Sequence, residues 1–360
     1  MNILLTGATG TIGGELAARL VAAGHAVVAL VRKTRDIYAN DGRLLDASDY
    51  ADVMPAAGCV AKLTGDVTLR GLGLDDRFMK LLQREIDLVI HCAATTDFNA
   101  GADVYRKVNI DGVVNVLAAL PDARFLHVST AYVCGLKDGP IPEAPCAPDQ
   151  NFANGYERSK AAGEALVLAA GRRAVIARPS IVVGAHDDGS YHRFDSFYQL
   201  FRLIAEGHIT RLPVATEATL DFVPIDHVVG GLMDIVSHWE KAEGKIIHLT
   251  SEAAVPTAML VEAISLFDHL DSPKLLAPET FAVQDLPELE RRLYTHVAAF
   301  YASYFQRFPD FETENLRQIS GRICPTVDLA ALKRMIEYCI TSGFIRDARP
   351  IGSTTQQTPV

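Results

Sequence analysis

The sequence predicts an α/β protein in which a doubly wound parallel sheet is joined to a smaller, mainly helical lobe. Short β-branched runs alternate with longer amphipathic segments, and this alternation is typical of a parallel sheet covered by helices on both faces. Residues 27–31 are continuously apolar, as burial of both sheet faces requires. After residue 180 the alternation weakens, so the second lobe is expected to begin to form there.

Seven strands and six helices follow from this pattern. The strands are expected at residues 2–6, 26–31, 60–63, 88–92, 124–128, 174–177 and 245–249. The helices are expected at residues 14–23, 105–119, 159–171, 196–206, 255–267 and 329–342. Residues 135–154 contain four prolines and two glycines, which predicts a long loop. We expect a sheet domain over 1–250, to which 180–219 add part of the second lobe, the rest of that lobe over 251–346, and a disordered polar tail over 347–360.

The composition narrows the class of protein. The chain has 360 residues, 49% of them hydrophobic, and a net charge of −10. This acidic balance argues against nucleic acid as a partner, because phosphate backbones are bound by clustered Lys and Arg. Six cysteines without paired spacing favour reduced thiols and no metal site. Since the chain shows neither a signal-peptide pattern nor a long apolar run, we expect a cytoplasmic protein without a membrane span.

A glycine-rich turn follows the first strand directly and opens the first helix. Its glycines permit a tight turn, let backbone N–H groups approach a diphosphate and allow close packing of helix on strand. The helix N-terminus attracts the same anion. A purely structural turn is the alternative, but the position between strand and helix favours a Rossmann-type dinucleotide site. The contacts expected in this turn are Gly7, Thr9, Gly10, Thr11, Ile12 and Gly13.

The end of the second strand indicates which dinucleotide is bound. Arg32 and Lys33 stand where an NAD-specific site usually has an acidic residue. A carboxylate would repel a ribose 2′-phosphate, whereas Arg can bind one with two hydrogen bonds. The pair therefore favours NADP(H) over NAD(H), with two solvated loop charges as the alternative interpretation.

Tyr156 and Lys160 lie four residues apart, on one face of a predicted helix. A fixed cation near a phenol favours the phenolate and lowers its pKa from about 10 toward the working range. Thr130 lies at the hydroxyl-rich end of the strand that stops at residue 128, where a hydroxyl can donate to a substrate carbonyl oxygen. Ser129 is the less favoured choice for that role. Asn109 is expected to brace the neighbourhood of Lys160.

Small residues end another strand at the same edge of the sheet. Cys92, Ala93 and Ala94 follow His91, and their size would let a cofactor lie against the backbone. His91 itself is interpreted as a packed histidine at the end of a strand.

These segments, taken in order, resemble the extended short-chain dehydrogenase/reductase superfamily over about residues 1–250. The matching motifs are TGATGTIG at 6–13, GDV at 65–67, HCAA at 91–94, Asn109, STAYV at 129–133, YERSK at 156–160 and ARPSIVVG at 177–184. The resemblance implies that Tyr156 is the acid/base, that Lys160 binds the nicotinamide ribose and lowers the tyrosine pKa, and that Thr130 orients the carbonyl. It also implies cofactor contacts at Asp66, Val67, Pro179, Ser180 and Ile181.

Within the superfamily the chain looks most like the thioester reductase and fatty acyl-CoA reductase branch. LVRK at 30–33, TTDF at 95–98 and NGY at 154–156 carry this similarity. It implies hydride transfer from NADPH to an acyl thioester, bound to CoA or to a carrier protein, to give an aldehyde and, after a second hydride, an alcohol. Residues 180–212 and the C-terminal segments would line the pocket.

Other functions remain open on the sequence. The main alternative is an NADP-dependent ketone or alcohol dehydrogenase of the hydroxysteroid or flavonoid-reductase type. A sugar-nucleotide epimerase and a regulator that senses NADP without catalysis are less favoured, the latter because the Tyr/Lys pair is present. The oligomeric state is expected to be a monomer or a homodimer.

Overall fold

The computed structural model describes residues 1–32, 36–147, 149–171, 173–195 and 197–346. At its centre lies a sheet of eight strands that pair in parallel throughout. The strands are β1 (Asn2–Thr6), β2 (Ala26–Val31), β3 (Ala47–Asp49), β4 (Val60–Thr64), β5 (Leu88–His91), β6 (Arg124–Val128), β7 (Ala174–Pro179) and β8 (Ile246–Leu249). Their order across the sheet is β8-β7-β6-β5-β1-β2-β4-β3. The predicted Rossmann-type α/β fold is therefore confirmed.

All seven strands expected from the sequence form, with bounds that differ by at most two residues. The strand that the sequence pattern misses is β3, which pairs with β4 at the edge of the sheet. Its three residues are mostly exposed, so they carry no apolar run that could reveal a strand.

The helices are α1 (Thr11–Ala22), α2 (Asp76–Glu85), α3 (residues 102–119), α4 (Gly155–Ala169), α5 (Phe197–Ala205), α6 (Ile225–Ser237), α7 (Trp239–Ala242), α8 (Thr257–Ser265), α9 (Glu288–His296), α10 (Glu314–Ser320) and α11 (Leu329–Thr341). Helix α3 widens into a π-helical turn at Arg106–Asp111. Short 3-10 segments include Ala131–Cys134 and Ala302–Gln306. Across the residues that the structure describes, no helix has both the length and the apolar character that a membrane crossing needs.

Four short strand pairs attach the later segments to the sheet region. They are Gly139–Ile141 with Pro309–Phe311, Ile181–Val183 with Phe222–Pro224, Arg211–Pro213 with Lys274–Leu276, and Thr219–Leu220 with Val255–Pro256. The first pair corrects the expectation of an unbroken loop over residues 135–154. A three-residue strand of Gly, Pro and Ile leaves no periodic signal, and it forms because the C-terminal chain runs alongside it.

Two hydrophobic clusters cover the two faces of the sheet. One contains Leu4 and Val28. The other joins Ile3 with Phe201 of α5 and Ile336 of α11, so the C-terminal helices share a core with the sheet. The expected disordered tail, 347–360, lies outside the described residues.

The sheet places a crevice at the carboxyl end of β1. The chain passes from β1 through α1 to β2 on one side, and β5 lies on the other side of β1. Ligands of open α/β sheets bind beyond the strand ends at such a switch in strand order.

Candidate active site

A cavity of about 330 Å³ lies beyond the carboxyl ends of β1, β5, β6 and β7. Thirteen of the residues expected at the site line it: Gly7, Gly10, Thr11, Ile12, Gly13, Cys92, Ala94, Thr130, Tyr156, Lys160, Pro179, Ser180 and Ile181. The structure thus brings together residues that are up to 174 positions apart in the sequence.

The glycine-rich turn leaves no room for side chains. Gly7 has a φ of +74°, and a Cβ there would lie 2.7 Å from the backbone nitrogen of Ala93. A Cβ on Gly13 would lie 2.2 Å from the carbonyl oxygen of Gly7. Helix α1 begins after Gly10 with no side-chain cap and no acidic residue in its first turn. Its free N–H groups and positive dipole end therefore suit an anion such as a diphosphate.

Helix α4 begins one residue before Tyr156 because two side chains fix its N-terminus. Asn154 Oδ1 accepts a hydrogen bond from the Glu157 N–H (2.9 Å), and Glu157 Oε2 accepts one from the Ala153 N–H (2.9 Å). This reciprocal arrangement resembles a capping box. Gly155 lies so close to the ring of Tyr105 that a Cβ would come within 2.7 Å of it. The first turn of α4, which carries Tyr156, is therefore held on both sides.

Lys160 lies buried beneath the cavity. Its Nζ donates a hydrogen bond to the Val128 carbonyl oxygen at 2.7 Å, at the end of β6. Burial lowers the pKa of Lys160 to about 8, while the negative charge of Glu164, one turn further along α4, acts to raise it. The ammonium is therefore held in the charged form near neutral pH in a place where water cannot solvate it.

The pKa of Tyr156 differs from the expectation drawn from the sequence. Burial raises the pKa of its hydroxyl above the usual value, and a hydrogen bond with Thr130 acts in the opposite direction. The expected lowering by Lys160 is not found, because desolvation of the phenol dominates and the ammonium directs its hydrogen bond to Val128. Tyr156 is thus a neutral phenol near pH 7, suited to donate a proton.

Two hydroxyls of the 129–130 pair face the cavity. Thr130 Oγ1 accepts a weak hydrogen bond from the Tyr132 N–H (3.3 Å) and caps the 3-10 turn Ala131–Cys134. Ser129 also lines the cavity, and its buried hydroxyl has no hydrogen-bond partner within the described part of the chain. Thr130 also forms a side-chain hydrogen bond with Tyr156, and the Ser129 hydroxyl lies beside it on the cavity wall.

Asn109 lies behind the cavity wall and does not line it. Its Nδ2 donates to Ser159 Oγ at 2.9 Å and to the Thr95 carbonyl oxygen at 3.1 Å, while its Oδ1 accepts from the Thr95 N–H at 2.8 Å. Ser159 Oγ donates in turn to the Tyr156 carbonyl oxygen at 2.8 Å. The π-helical turn of α3 thus places Asn109 against Ser159 and the backbone around Tyr156, next to Lys160, whose neighbourhood it was expected to brace.

Several other expected cofactor residues do not line the cavity. The described residues in this group are Thr9, Arg32, Asp66, Val67 and Ala93. Arg32 is exposed just after β2, and Asp66 Oδ1 accepts a hydrogen bond from the Thr68 N–H at 2.8 Å. Lys33 lies outside the described residues.

His91 matches its interpretation as a packed residue. Its Nδ1 lies 2.8 Å from Thr6 Oγ1, and its ring stacks on His127 with centroids 5.5 Å apart. Burial, assisted by the nearby charge of Lys160, lowers the pKa of His91 to about 3, so the ring is neutral at physiological pH.

The other side of the cavity is lined by residues that the sequence analysis did not single out as site residues. Five aromatic residues, which we call the aromatic wall, line it: Phe98, Tyr132, Tyr301, Tyr304 and Phe305. Phe98 belongs to the TTDF segment and Tyr132 to STAYV, and the run FYASYF at 300–305 was the available signal for the other three. Within the expected pocket segment, further lining comes from Tyr191, Arg193, Asp195 and Phe197.

Arg193 lies over the glycine-rich turn and was not among the expected residues. Its Nη1 donates to the Thr9 carbonyl oxygen at 2.9 Å. Near it, Thr11 Oγ1 donates to Asp195 Oδ2 at 3.3 Å. The segment before α5 therefore closes over the end of α1.

Comparison with known proteins agrees with this geometry. The family model described as male sterility protein matches residues 5–232. A probable fatty acyl-CoA reductase 5 of Arabidopsis thaliana is 43% identical over 91 residues, 24% of this chain and 18% of that protein. The aldehyde reductase lnaA of Aspergillus flavus is 24% identical over 398 residues, 98% of this chain and 37% of that protein. The chain thus spans well under half the length of these curated relatives.

Solved structures share the fold over nearly the whole chain. The terminal R domain from the myxalamid PKS-NRPS biosynthetic pathway superposes with a TM-score of 0.80 at 22% identity, covering 97% of this chain and 92% of that one. UDP-glucuronic acid 4-epimerase from Bacillus cereus, in complex with NAD, gives a TM-score of 0.63 at 20% identity, covering 94% and 96%.

The fold and the family match place the chain in the extended short-chain dehydrogenase/reductase superfamily. Within that superfamily, the chain belongs to the male sterility protein family.

Proposed function

We propose that the protein is an NADP(H)-dependent reductase that transfers hydride to an acyl thioester and releases an aldehyde, which a second hydride would convert to an alcohol. The observation that carries this proposal is the convergence of Tyr156, Thr130 and Lys160 on one cavity with an uncapped helix N-terminus. The names of the relatives in this branch support the choice of an acyl thioester, presented by CoA or by a carrier protein.

The residues present fit a nicotinamide dinucleotide. Gly7 and Gly13 keep the turn free of side chains, and the N-terminus of α1 would hold the diphosphate. Cys92, Ala94, Pro179 and Lys160 would contact the nicotinamide half. The cofactor, when bound, supplies the hydride.

The chain's own residues would act on the substrate oxygen and its proton. Thr130 and Tyr156 would donate hydrogen bonds to the thioester carbonyl oxygen, and these bonds strengthen as negative charge develops on it. Tyr156 would then give its hydroxyl proton to that oxygen, and the buried charge of Lys160 would stabilise the phenolate that remains. Collapse of the resulting hemithioacetal would expel the thiol and leave the aldehyde.

The test measures NADPH oxidation and thiol release together, with acyl-CoA and acyl-N-acetylcysteamine thioesters as substrates. One NADPH oxidised per thiol released is expected where the aldehyde is the product, and two NADPH per thiol where a second hydride gives the alcohol. Tyr156→Phe should lower kcat by about 10²–10⁴-fold, the usual contribution of a general acid, while NADPH binding persists. Tyr338→Phe is the matched control, because Tyr338 lies in α11 and does not line the cavity. Thioesters that are not consumed, together with ketone reduction that depends on Tyr156, would instead identify the ketone or alcohol dehydrogenase.

The preference for NADP(H) rests on Arg32, which is exposed at the end of β2. Arg32→Ser should weaken NADPH binding by about tenfold or more, the order expected from loss of a charge-assisted hydrogen bond, and leave NADH binding nearly unchanged. Equal losses for both cofactors, or none, would contradict this specificity.

A further inference from the structure

The aromatic wall forms a continuous surface that starts at Tyr156. The ring of Phe98 lies 5.5 Å from that of Tyr156, 5.0 Å from that of Tyr301 and 5.8 Å from that of Tyr304, measured between centroids. Tyr304 in turn lies 4.5 Å from Tyr132. A substrate carbonyl held by Tyr156 would therefore extend its acyl group directly onto aromatic rings.

The exposed fractions of the five side chains distinguish the inner end of this surface, which we call the floor, from its outer end, which we call the mouth. Tyr132, Tyr304 and Phe305 are 3%, 6% and 2% exposed, so they form the floor. Phe98 and Tyr301 are half-buried, so they stand at the opening. An acyl group enters between the last two residues and ends against the first three.

A buried cation closes the floor from behind. The guanidinium of Arg307 lies 4.6 Å from the ring centroid of Tyr304 and 5.2 Å from that of Tyr132. It donates to Glu157 Oε1 at 3.0 Å and to the Gly135 carbonyl oxygen at 2.6 Å. Parting these groups would leave charges unpaired in the interior, which is strongly unfavourable. The floor is therefore rigid, and an aliphatic chain cannot pass beyond it.

The cavity is also small for its task. Its volume of about 330 Å³ lies at the low end of the range of about 300–1,000 Å³ for ligand pockets, and part of it faces the glycine-rich turn. The part of the cavity that the aromatic wall lines would suit a flat group, which gains from offset or edge-to-face contact with aromatic rings.

From this geometry we propose that the acyl group is short and planar, of the benzoyl or cinnamoyl type, and that long aliphatic acyl chains are excluded. The proposal rests on the proposed function in taking the acyl thioester as substrate. It narrows the substrate class beyond the fatty acyl group named for some relatives.

The test compares matched benzoyl, hexanoyl and decanoyl thioesters of CoA with the full chain and NADPH. We expect kcat/KM for the benzoyl thioester to exceed that for the decanoyl thioester by about 100-fold, since one misfit methylene in a rigid pocket already costs about 10–200-fold. Phe98→Ala and Tyr301→Ala should each widen the mouth and raise the decanoyl-to-benzoyl ratio. Leu289→Ala is the control, because Leu289 is 67% exposed and its loss should leave the ratio unchanged.

A second series separates this inference from the proposed function. Benzaldehyde and decanal are compared in the same assay, and binding of benzyl alcohol and decanol in the presence of NADP⁺ is measured by calorimetry. Preference for the aromatic member with no thioester turnover would overturn the proposed function and keep the inference. Equal or better use of the decanoyl and decanal substrates, or tighter binding of decanol, would overturn the inference.

Discussion

Replacing Lys160 by methionine should stabilise the fold at pH 7 and remove the activity. Methionine has nearly the length of lysine without its charge, so it fills the same buried space. The wild-type ammonium lies in a site that is 2% exposed, where the protein cannot replace the water that solvates it in the unfolded chain.

The magnitude follows from the pKa. Burial lowers the pKa of Lys160 from 10.5 to about 8, which corresponds to about 3 kcal/mol of lost stability while the group is charged. Methionine forgoes the hydrogen bond to the Val128 carbonyl oxygen, a loss of about 1 kcal/mol. Lys160→Met should therefore raise the free energy of unfolding at pH 7 by about 2 kcal/mol.

The pH dependence gives the sharper assay. Because the folded-state pKa lies below the unfolded one, the unfolded chain binds more protons between pH 8 and 10.5, and wild-type stability gains from this group as the pH rises through that window. Urea unfolding at pH 7, 8.5 and 10 should show the advantage of the variant shrinking with pH. A variant that is less stable at pH 7, or whose advantage is the same at every pH, would refute the reasoning.

Three further predictions concern the site and its support. Gly13→Ala should abolish cofactor binding and lower the melting temperature, because the new Cβ would lie 2.2 Å from the Gly7 carbonyl oxygen; calorimetric titration with NADPH and thermal unfolding check both. Asn109→Ala should lower the free energy of unfolding by about 1–3 kcal/mol, the usual penalty for buried groups left without partners. It should also lower kcat more than it raises KM, and an unchanged kcat would contradict a positioning role for Asn109. Glu164→Gln should move the alkaline limb of the pH–rate profile to lower pH, because the charge of Glu164 raises the pKa of Lys160. An alkaline limb that stays at the same pH would contradict this link between Glu164 and Lys160.

Much of the fold was accessible from the sequence because its signals are local. The glycine-rich turn, the apolar strands and the Tyr156/Lys160 spacing each depend on residues close together in the chain. The edge strand β3 was not predicted because its side chains are mostly exposed. The pairing of Gly139–Ile141 with Pro309–Phe311 was not predicted because the two strands lie about 170 residues apart in the sequence.

The candidate site was accessible only on its cofactor side. The direction of the Tyr156 pKa depends on how much water the folded chain removes from the phenol, and burial is a tertiary property. Asn109 contacts the backbone near Tyr156 from outside the cavity because it lies in a π-helical turn, which the hydrophobic periodicity of the sequence does not predict. The aromatic wall combines residue 98 with residues 301–305, a contact that only the packing of the C-terminal lobe creates.

The aromatic wall includes residues that lie outside the family-matched segment. The proton-transfer residues and the glycine-rich turn fall within the family-matched segment 5–232, whereas Tyr301, Tyr304 and Phe305 fall beyond it. Three of the five residues of the aromatic wall thus lie in one short C-terminal stretch, where changes would alter the proposed acyl preference without replacing the proposed proton-transfer residues. The Arg307–Glu157 ion pair links the two parts, so an exchange of residues 298–311 between relatives should transfer acyl preference only where the recipient chain has a carboxylate at position 157.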